Sequence, residues 1–367
     1  MLAQATEDSP WTSIGVDALN STYAQGVAYE AALQGMVLLK NDGALPLADE
    51  GLKLAVVGPM GDDSTGLKSD YEGAQDDNTD TIFAALQRAN KGTTTFNLDG
   101  DPAVGAVKAA DAVVLAIGLT KKQEHEGMDR KDTLLPPDQK SLASAVFAAA
   151  GSKPVIVILC NGGAVSIDEL VEPSHAIVEA FNPAQQGPKA LAALLFGHEN
   201  RWGKLPITIY DKDYASKLPI QDMEYDTPPG RSYRYYTGKP LFEFGTGLSL
   251  TNFSHTCTCS ATNEVKCSCD LFNTGTRAGD EVIMVFDKLS DGVRAAVGKR
   301  HPVPIKRLVD FERVSLAAGA ATTVEFFFSV GNLAITTADG TKKLYSGVHE
   351  LSFSRGNGAD STVPVTV

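Results

Sequence analysis

No stretch of this chain approaches the roughly 20 consecutive apolar residues that a membrane-spanning helix needs, so no membrane partner is expected. Its first residues, Met1 to Trp11, carry acids and lack the basic, apolar pattern of a secretion signal. Positive charge is also in short supply. The 32 Lys and Arg face 45 Asp and Glu, a net charge of −13, with no basic stripe. That balance argues against a nucleic-acid surface and favours a neutral or cationic partner. Internal repeats and low-complexity tracts are missing too. With 43% hydrophobic and 21% charged residues, the composition carries no disorder signature. A chain of 367 residues with this make-up predicts two or three folded domains.

Two ligand loops fail on spacing. Gly58-Pro-Met-Gly61-Asp-Asp-Ser-Thr-Gly66 follows a strand pattern, but it lacks both the Gly-Lys-Ser/Thr ending and the Gly-x-Gly-x-x-Gly order of a phosphate loop. Asp62 and Asp63 would repel phosphate as well. Asp76 to Asp80 has the acids of a calcium loop, yet Thr81 stands where the sharp-turn Gly belongs and Gln87 where the bidentate Glu belongs. A loop leading into a capped helix is the expected structure.

Cysteine is scarce but clustered. Four of five form Cys257-x-Cys259 and Cys267-x-Cys269 about the turn-like Thr262-Asn263-Glu264. A hairpin centred on Asn263 sets Cys257 opposite Cys269 and Cys259 opposite Cys267, all on one face, so two cross-strand disulfides can form. A tetrathiolate zinc site competes, although Cys-x-Cys is tighter than the usual structural-zinc spacing. The sequons Asn20-Ser-Thr and Asn252-Phe-Ser point to a secretory compartment, as disulfides would. Cys160 ends an apolar run with no base suggested beside it and reads as a buried small hydrophobe.

Strand and helix patterns alternate from Thr22 to Tyr210. Expected helices are Thr22 to Gln34, Asp80 to Ala89, one ending over Ala106 to Ala110, Pro137 to Ala150 and Pro188 to Phe196. Expected strands are Met36 to Lys40, Leu54 to Val57, Thr93 to Leu98, Ala112 to Ile117, Val155 to Leu159, Ala176 to Ala180 and a last one at Leu205 to Tyr210. Such alternation predicts a mostly parallel sheet covered on both faces, a three-layer α/β/α sandwich. Beyond Tyr210 comes an aromatic connector, in which Tyr233, Tyr235 and Tyr236 either pack the segment down or stack on sugars. From Phe253 onward, short Val, Thr and Phe-rich runs between Gly-containing turns predict an all-β sandwich.

The most chemically loaded loop is Lys122-Gln-Glu124-His-Glu126-Gly-Met-Asp129-Arg130, directly after the buried-strand pattern at Ala112 to Ile117. Open α/β sheets bind ligands at the carboxyl ends of their strands. From pattern alone, however, a charge run on a loop reads as a solvated surface.

The residues resemble glycoside hydrolase family 3, in particular its β-xylosidase-like branch, over nearly the whole chain. The carriers are Val37-Leu-Leu-Lys-Asn-Asp-Gly43 with Leu45-Pro-Leu47, Glu124-x-Glu126-x-x-Asp129-Arg130, Leu195-Phe-Gly-x-x-Asn200, Gly203-Lys-Leu-Pro206, Tyr233-Arg-Tyr-Tyr236 and Phe242-x-Phe-Gly-x-Gly-Leu-Ser249. Asn273-Thr-Gly, Ala278-Gly-Asp-Glu-Val282 and Leu308-Val-x-Phe-Glu-Arg313 resemble the fibronectin-III-like module of the same enzymes. The resemblance implies a lead-in linker and helix over residues 1–35, the family's α/β sandwich over 36–215, the connector over 216–250 and a fibronectin-III-like domain over 251–367. The family's N-terminal (β/α)₈ barrel has no counterpart in this sequence.

The resemblance also implies a chemistry. Retaining glycosidases use two carboxyl groups about 5 Å apart, one nucleophile and one acid/base. In this family the barrel supplies the nucleophile and the second domain the acid/base, which falls on Glu126, with Glu124 as its rival. Asp129 and Arg130 are expected to support the loop as a bidentate pair, an inference from charge and geometry. No metal or cofactor is required. The expected partners are a β-linked oligosaccharide or aryl glycoside and a barrel in cis or in trans, with self-association of the uncovered face and an extracellular parent enzyme. The alternatives are a barrel-free carbohydrate-binding or interaction protein and, disfavoured by the failed phosphate loop, a nucleotide-binding module. Pro183-Ala-Gln-Gln-Gly-Pro188 departs from the family's Pro-Gly-Gln-Glu-Gly-Gly, restricting the backbone at two positions. Phe244-Gly-Thr-Gly-Leu-Ser-Leu250 and Asn200-Arg-Trp-Gly203 are further departures.

Overall fold

The computed structural model describes residues 10–70, 79–298 and 302–367. The start of the polar lead and Asp76 to Asn78 of the calcium-like stretch lie outside the described residues.

Helix α1 (Thr22–Gly35) begins at Ser21, whose hydroxyl accepts the Ala24 N–H. Strands β1 (Val37–Asn41), β2 (Lys53–Val57), β3 (Thr93–Asn97), β4 (Ala112–Gly118), β5 (Val155–Cys160) and β6 (Ala176–Glu179) form one sheet in the order β1-β6-β5-β4-β2-β3. All pairs are parallel except β1 with β6. Every residue of β4, β5 and β6 is buried, as helices on both faces require. One face is covered by α1, α2 (Ile82–Ala89) and, further on, α6 (Gly187–Leu195), the other by α3 (Gly100–Ala109) and α4 (Pro137–Ala150), with the short α5 (Asp168–Val171) near its end. The fold is therefore the three-layer α/β/α sandwich.

The expected seventh strand does not form. Leu205 to Tyr210 bends at Pro206 and Ile207 and joins no sheet, its one bridge being Ile209 with Phe242. Two causes are visible: Pro206 has no N–H for a ladder, and the edge of β6 is already taken by β1. The segment bonds instead to the connector, Leu205 N–H to the Thr246 carbonyl (2.8 Å) and Gly245 N–H to the Leu205 carbonyl (2.7 Å).

The connector holds α7 (Tyr214–Lys217) and α8 (Ser232–Tyr235). Its aromatics pack on one another. Tyr210 stacks on Tyr214 at 3.7 Å with Tyr236 edge-on to both, and Tyr233 stacks on Phe244 at 4.2 Å.

The last unit is an antiparallel sandwich. One sheet runs β11 (Ala321–Ser329), β8 (Glu264–Asn273), β7 (Phe253–Ala261); the other runs β10 (Arg307–Leu316), β9 (Gly279–Leu289), β14 (Val348–Ser354), β15 (Ser361–Thr366). Helix α9 (Asp291–Val297) and the two-residue strands β12 (Ile335–Thr336) and β13 (Lys342–Lys343) lie outside these sheets. Phe326, Phe353, Leu351 and Ile283 fill the core between the two sheets. Disulfides join the directly opposed pairs Cys257–Cys269 and Cys259–Cys267, facing that core. Cys160 is free and fully buried.

Several of the quoted motifs meet at the seam between the two units. Asn200 donates to the Ala278 carbonyl (3.0 Å) and accepts from Leu250 N–H (2.9 Å) and the Ser249 hydroxyl (3.1 Å). Lys204 contacts Glu281 at 2.6 Å, Arg355 reaches the same carboxylate at 3.2 Å, and Arg313 pairs with Asp280 at 3.1 Å. Away from the seam, Trp11, Ile14, Val16, Leu19, Tyr23 and Val27 leave one end of the chain rich in exposed apolar side chains. Among the described residues no helix is long and apolar enough to cross a membrane.

Candidate active-site cleft

In this sheet β3 lies on one side of β2 and β4 on the other, so the chain reverses its direction of winding between β2 and β4. A crevice opens outside the carboxyl ends of strands at such a reversal. A cleft of about 430 Å³ occupies that position. Its walls come from the segment after β2 (Gly66, Ser69, Asp70), the loop after β4 (Leu119 to Asp129), Gly162 after β5 and Asn182 after β6.

The loop after β4 is a built turn. Gln123 accepts both the N–H and the hydroxyl of Thr120, at 2.9 and 2.6 Å, and His125 donates its Nδ1–H to the Lys121 carbonyl at 3.0 Å. His125 and Met128 then exchange backbone bonds, which puts Glu126 and Gly127 at the tip. Gly127 has φ +82°, the left-handed value that a type II turn demands at its third position. Glu126 N–H donates to the Asp70 carboxylate at 3.1 Å, tying the tip to the opposite wall. Among the described residues the Glu126 carboxylate itself makes no hydrogen bond or ion pair, and it is exposed.

The expected Asp129–Arg130 pair is corrected. Arg130 turns inward, bonds Glu124 through Nε at 2.5 Å and caps the Ala164 carbonyl with Nη1 and Nη2 at 3.2 and 3.3 Å. Adjacent residues in an extended stretch point apart, so Asp129 stays on the exposed side while Arg130 reaches the base of its own loop. Glu124 is thereby the supporting partner of Arg130.

Sequence reasoning missed Asp70, Asn182 and the buried floor of the cleft. Their common signal is position, since Asp70 lies in the segment that follows the carboxyl end of β2 and Asn182 just after that of β6. The floor is strained: Ser69, Phe181 and Ala184 have φ of +61°, +53° and +55° without being Gly. Ala184 stands where the family pattern has Gly. Pro188, the second departure, sits in the first turn of α6, where a missing N–H is harmless.

The chain thus joins a doubly wound α/β unit, with a carboxylate-rich cleft at its winding reversal, to an antiparallel β-sandwich. The Glycosyl hydrolase family 3 C-terminal domain profile matches residues 36–250 and the Fibronectin type III-like domain profile matches residues 293–355, and the chain belongs to this family. It is 31% identical to a probable exo-1,4-β-xylosidase (xlnD) of Neosartorya fischeri, covering 98% of this chain and 50% of that protein. It is 30% identical to the exo-1,4-β-xylosidase xlnD of Emericella nidulans, covering 95% and 47%. Among solved structures, a family 3 exo-β-xylosidase (XlnD) bound to a xylobiose aziridine activity-based probe superposes with a TM-score of 0.88 at 28% identity, over 98% of this chain and 51% of that one. A β-glucosidase of Listeria innocua in complex with glucose gives 0.80 at 25%, over 95% and 50%. The chain thus spans about half the length of the relatives it matches.

Proposed function

We propose that this chain supplies the acid/base half of a retaining, exo-acting β-glycosidase of the β-xylosidase type, with Glu126 as the acid/base. A barrel, in cis or in trans, supplies the nucleophilic carboxylate. In the first step that carboxylate attacks the anomeric carbon and Glu126 protonates the departing oxygen. In the second, Glu126 takes a proton from water, which attacks the same carbon and releases the barrel carboxylate. The substrate is a β-linked oligosaccharide or aryl glycoside, and the parent enzyme is extracellular, in keeping with its two disulfides and exposed sequons.

The observation that carries this reading is the division of labour in one loop. Glu124 is committed to Arg130, whereas Glu126 is presented at an anchored tip with its carboxylate unengaged at the cleft mouth. The exposed apolar side chains between Trp11 and Val27 support a covering partner such as the barrel, since large patches seldom stay bare. The test fuses the chain behind the barrel half of a family β-xylosidase. Glu126→Ala should slow substrates with poor leaving groups far more than activated aryl xylosides, with azide restoring turnover of the latter. If Glu124→Ala behaves that way and Glu126→Ala does not, the assignment is wrong.

A further inference from the structure

Glu179 ends β6 with its side chain wholly enclosed, directly beneath the cleft floor. One carboxyl oxygen, Oε1, accepts the Phe181 N–H at 3.0 Å and the Asn161 side-chain N–H at 3.2 Å. The other, Oε2, is buried with no partner, and so is the side-chain oxygen of the same Asn161. Two orphaned acceptors on two groups already joined by one hydrogen bond are an expensive arrangement, because each would lose its hydration for nothing. A single proton resolves both. An acid and a primary amide close a two-bond ring when the amide donates to the carbonyl oxygen and the acid O–H donates back.

We infer that Glu179 is a neutral carboxylic acid whose O–H donates to Asn161 Oδ1, and that this pair is the positioning element holding the two turns under the cleft. Both turns depend on it. Phe181, held at φ +53°, receives its clamp from Glu179, and Asn182 on the cleft wall follows. On the other side Asn161 uses its second amide hydrogen on the Gly163 carbonyl at 2.8 Å, which shapes the Gly162–Gly163 turn. A Cβ on Gly163 would lie 3.1 Å from Arg130 Nη2, and one on Gly162 would lie 3.7 Å from Glu124 Oε1, so the Glu124–Arg130 brace rests on that turn.

Among the described residues, no cation pairs with Glu179 to keep it ionised. From β5 comes the Cys160 thiol, itself pushed up by burial and by this carboxyl. From β1 comes Val37 at the paired position, while Lys40 is held toward the other end by the Val171 and Glu172 carbonyls and by Asp42. On α4, Gln139 is occupied by the Gly118 backbone, and the 205–210 segment presents Leu205 and Ile209 to the same face. Above the turns Arg130 and Glu124 neutralise each other. Burial outweighs the two N–H donors and pushes the Glu179 carboxyl up to about 8.

That these turns serve a catalytic cleft rests on the function proposed above, but the test does not pass through hydrolysis, so the two can fail separately. The full chain, labelled with ¹³C at Glu carboxyls, is titrated by NMR, and amide exchange is followed over Asn161 to Ala164. One carboxyl should remain protonated through neutrality, titrate near pH 8 and vanish in Glu179→Gln. Wild-type protection in the turn, relative to the variant, should fall by up to about tenfold per pH unit from the ordinary Glu range near 4.3 to about 8 and then level off. Glu179→Gln keeps an N–H donor for Asn161 at every pH and should lose that dependence. A Glu179 already ionised near pH 6, as a bridging water would allow, overturns the inference; so does a variant with unchanged pH dependence. If the variant does not fold, the wild-type titration decides alone.

Discussion

At the rim of the cleft, Glu126 and Asp129 face solvent and, among the described residues, pair with no cation. At the seam and inside the sandwich, Asp280, Glu281 and Asp287 are buried, and each is held by at least one cationic group: Arg313, Lys204 with Arg355, and Arg307 with His349. The same residue types do opposite work. Buried and paired, they lock the seam and the sandwich interior; exposed and presented by a turn, one of them is left unengaged for the proton-transfer role proposed above. Three of the non-glycine residues with left-handed backbone, Ser69, Phe181 and Ala184, lie at the cleft floor, with Asn20 and Ser232 elsewhere.

The largest stability effect should come from breaking the seam. Glu281→Ala leaves Lys204 and Arg355 enclosed without a shared anion and should destabilise the chain by about 3–5 kcal/mol, read from denaturant unfolding. Glu126→Ala, at the rim, should change stability by less than about 0.5 kcal/mol. A comparable cost for both would erase the distinction.

Next comes the hairpin. Replacing Cys257 and Cys269 together by Ala opens a loop of sequence separation 12 and should cost about 2–3 kcal/mol. Mass spectrometry of protein from a secretory host should find no free thiol among the four clustered cysteines. Stoichiometric zinc with four reduced thiols would contradict this pairing.

A smaller effect separates two histidines of the sandwich. His349 faces the Asp287 carboxylate at 2.9 Å and the Tyr345 carbonyl at 3.1 Å, two acceptors, so both ring nitrogens carry protons. Burial alone would lower its pKa, but Asp287 and the carbonyl outweigh burial and hold it above the ordinary His value. Its stabilisation is therefore complete below about pH 6.5, the unfolded value, and is lost as pH rises through the folded one. His255 is the reverse. Burial lowers its pKa, and Arg355 Nε–H donates to its Nδ1 at 3.0 Å, so it is held neutral and its contribution is lost toward acid. His349→Gln should flatten the alkaline side of the stability profile; a variant that instead flattens the acid side would refute the assignment.

The smallest change relaxes the cleft floor. Ala184→Gly removes a side chain from φ +55° and should stabilise the chain by about 0.5–1 kcal/mol. Destabilisation would mean that the left-handed backbone at Ala184 is not strained.

Much of this division was legible in the residues. The unbroken apolar runs of β4 and β5 marked a sheet covered on both faces, whereas the charged loop between β4 and α4 read as a solvated surface from its pattern and was singled out only by the family resemblance. Strand direction was not legible, because periodicity is the same up or down; hence β1 proved antiparallel and Leu205 to Tyr210 left the sheet for the connector. Nor could the partner of Arg130 be read. Its neighbour Asp129 was adjacent in sequence, but the fold brings Glu124 to it. Glu179 was hidden for a different reason: a single acid closing Ala-Ile-Val-Glu looks like the solvated end of a strand, and only the sheet shows it enclosed.

The central claim, that the rim keeps Glu126 for proton transfer, is tested most directly by leaving-group dependence in the barrel-fused enzyme. Xylosides with leaving groups of graded acidity are hydrolysed by the parent fusion and by Glu126→Ala. The account predicts a loss of about 10²–10⁴-fold for the least acidic leaving groups, shrinking toward none for the most acidic. A loss that is uniform across the series, or absent, would contradict it.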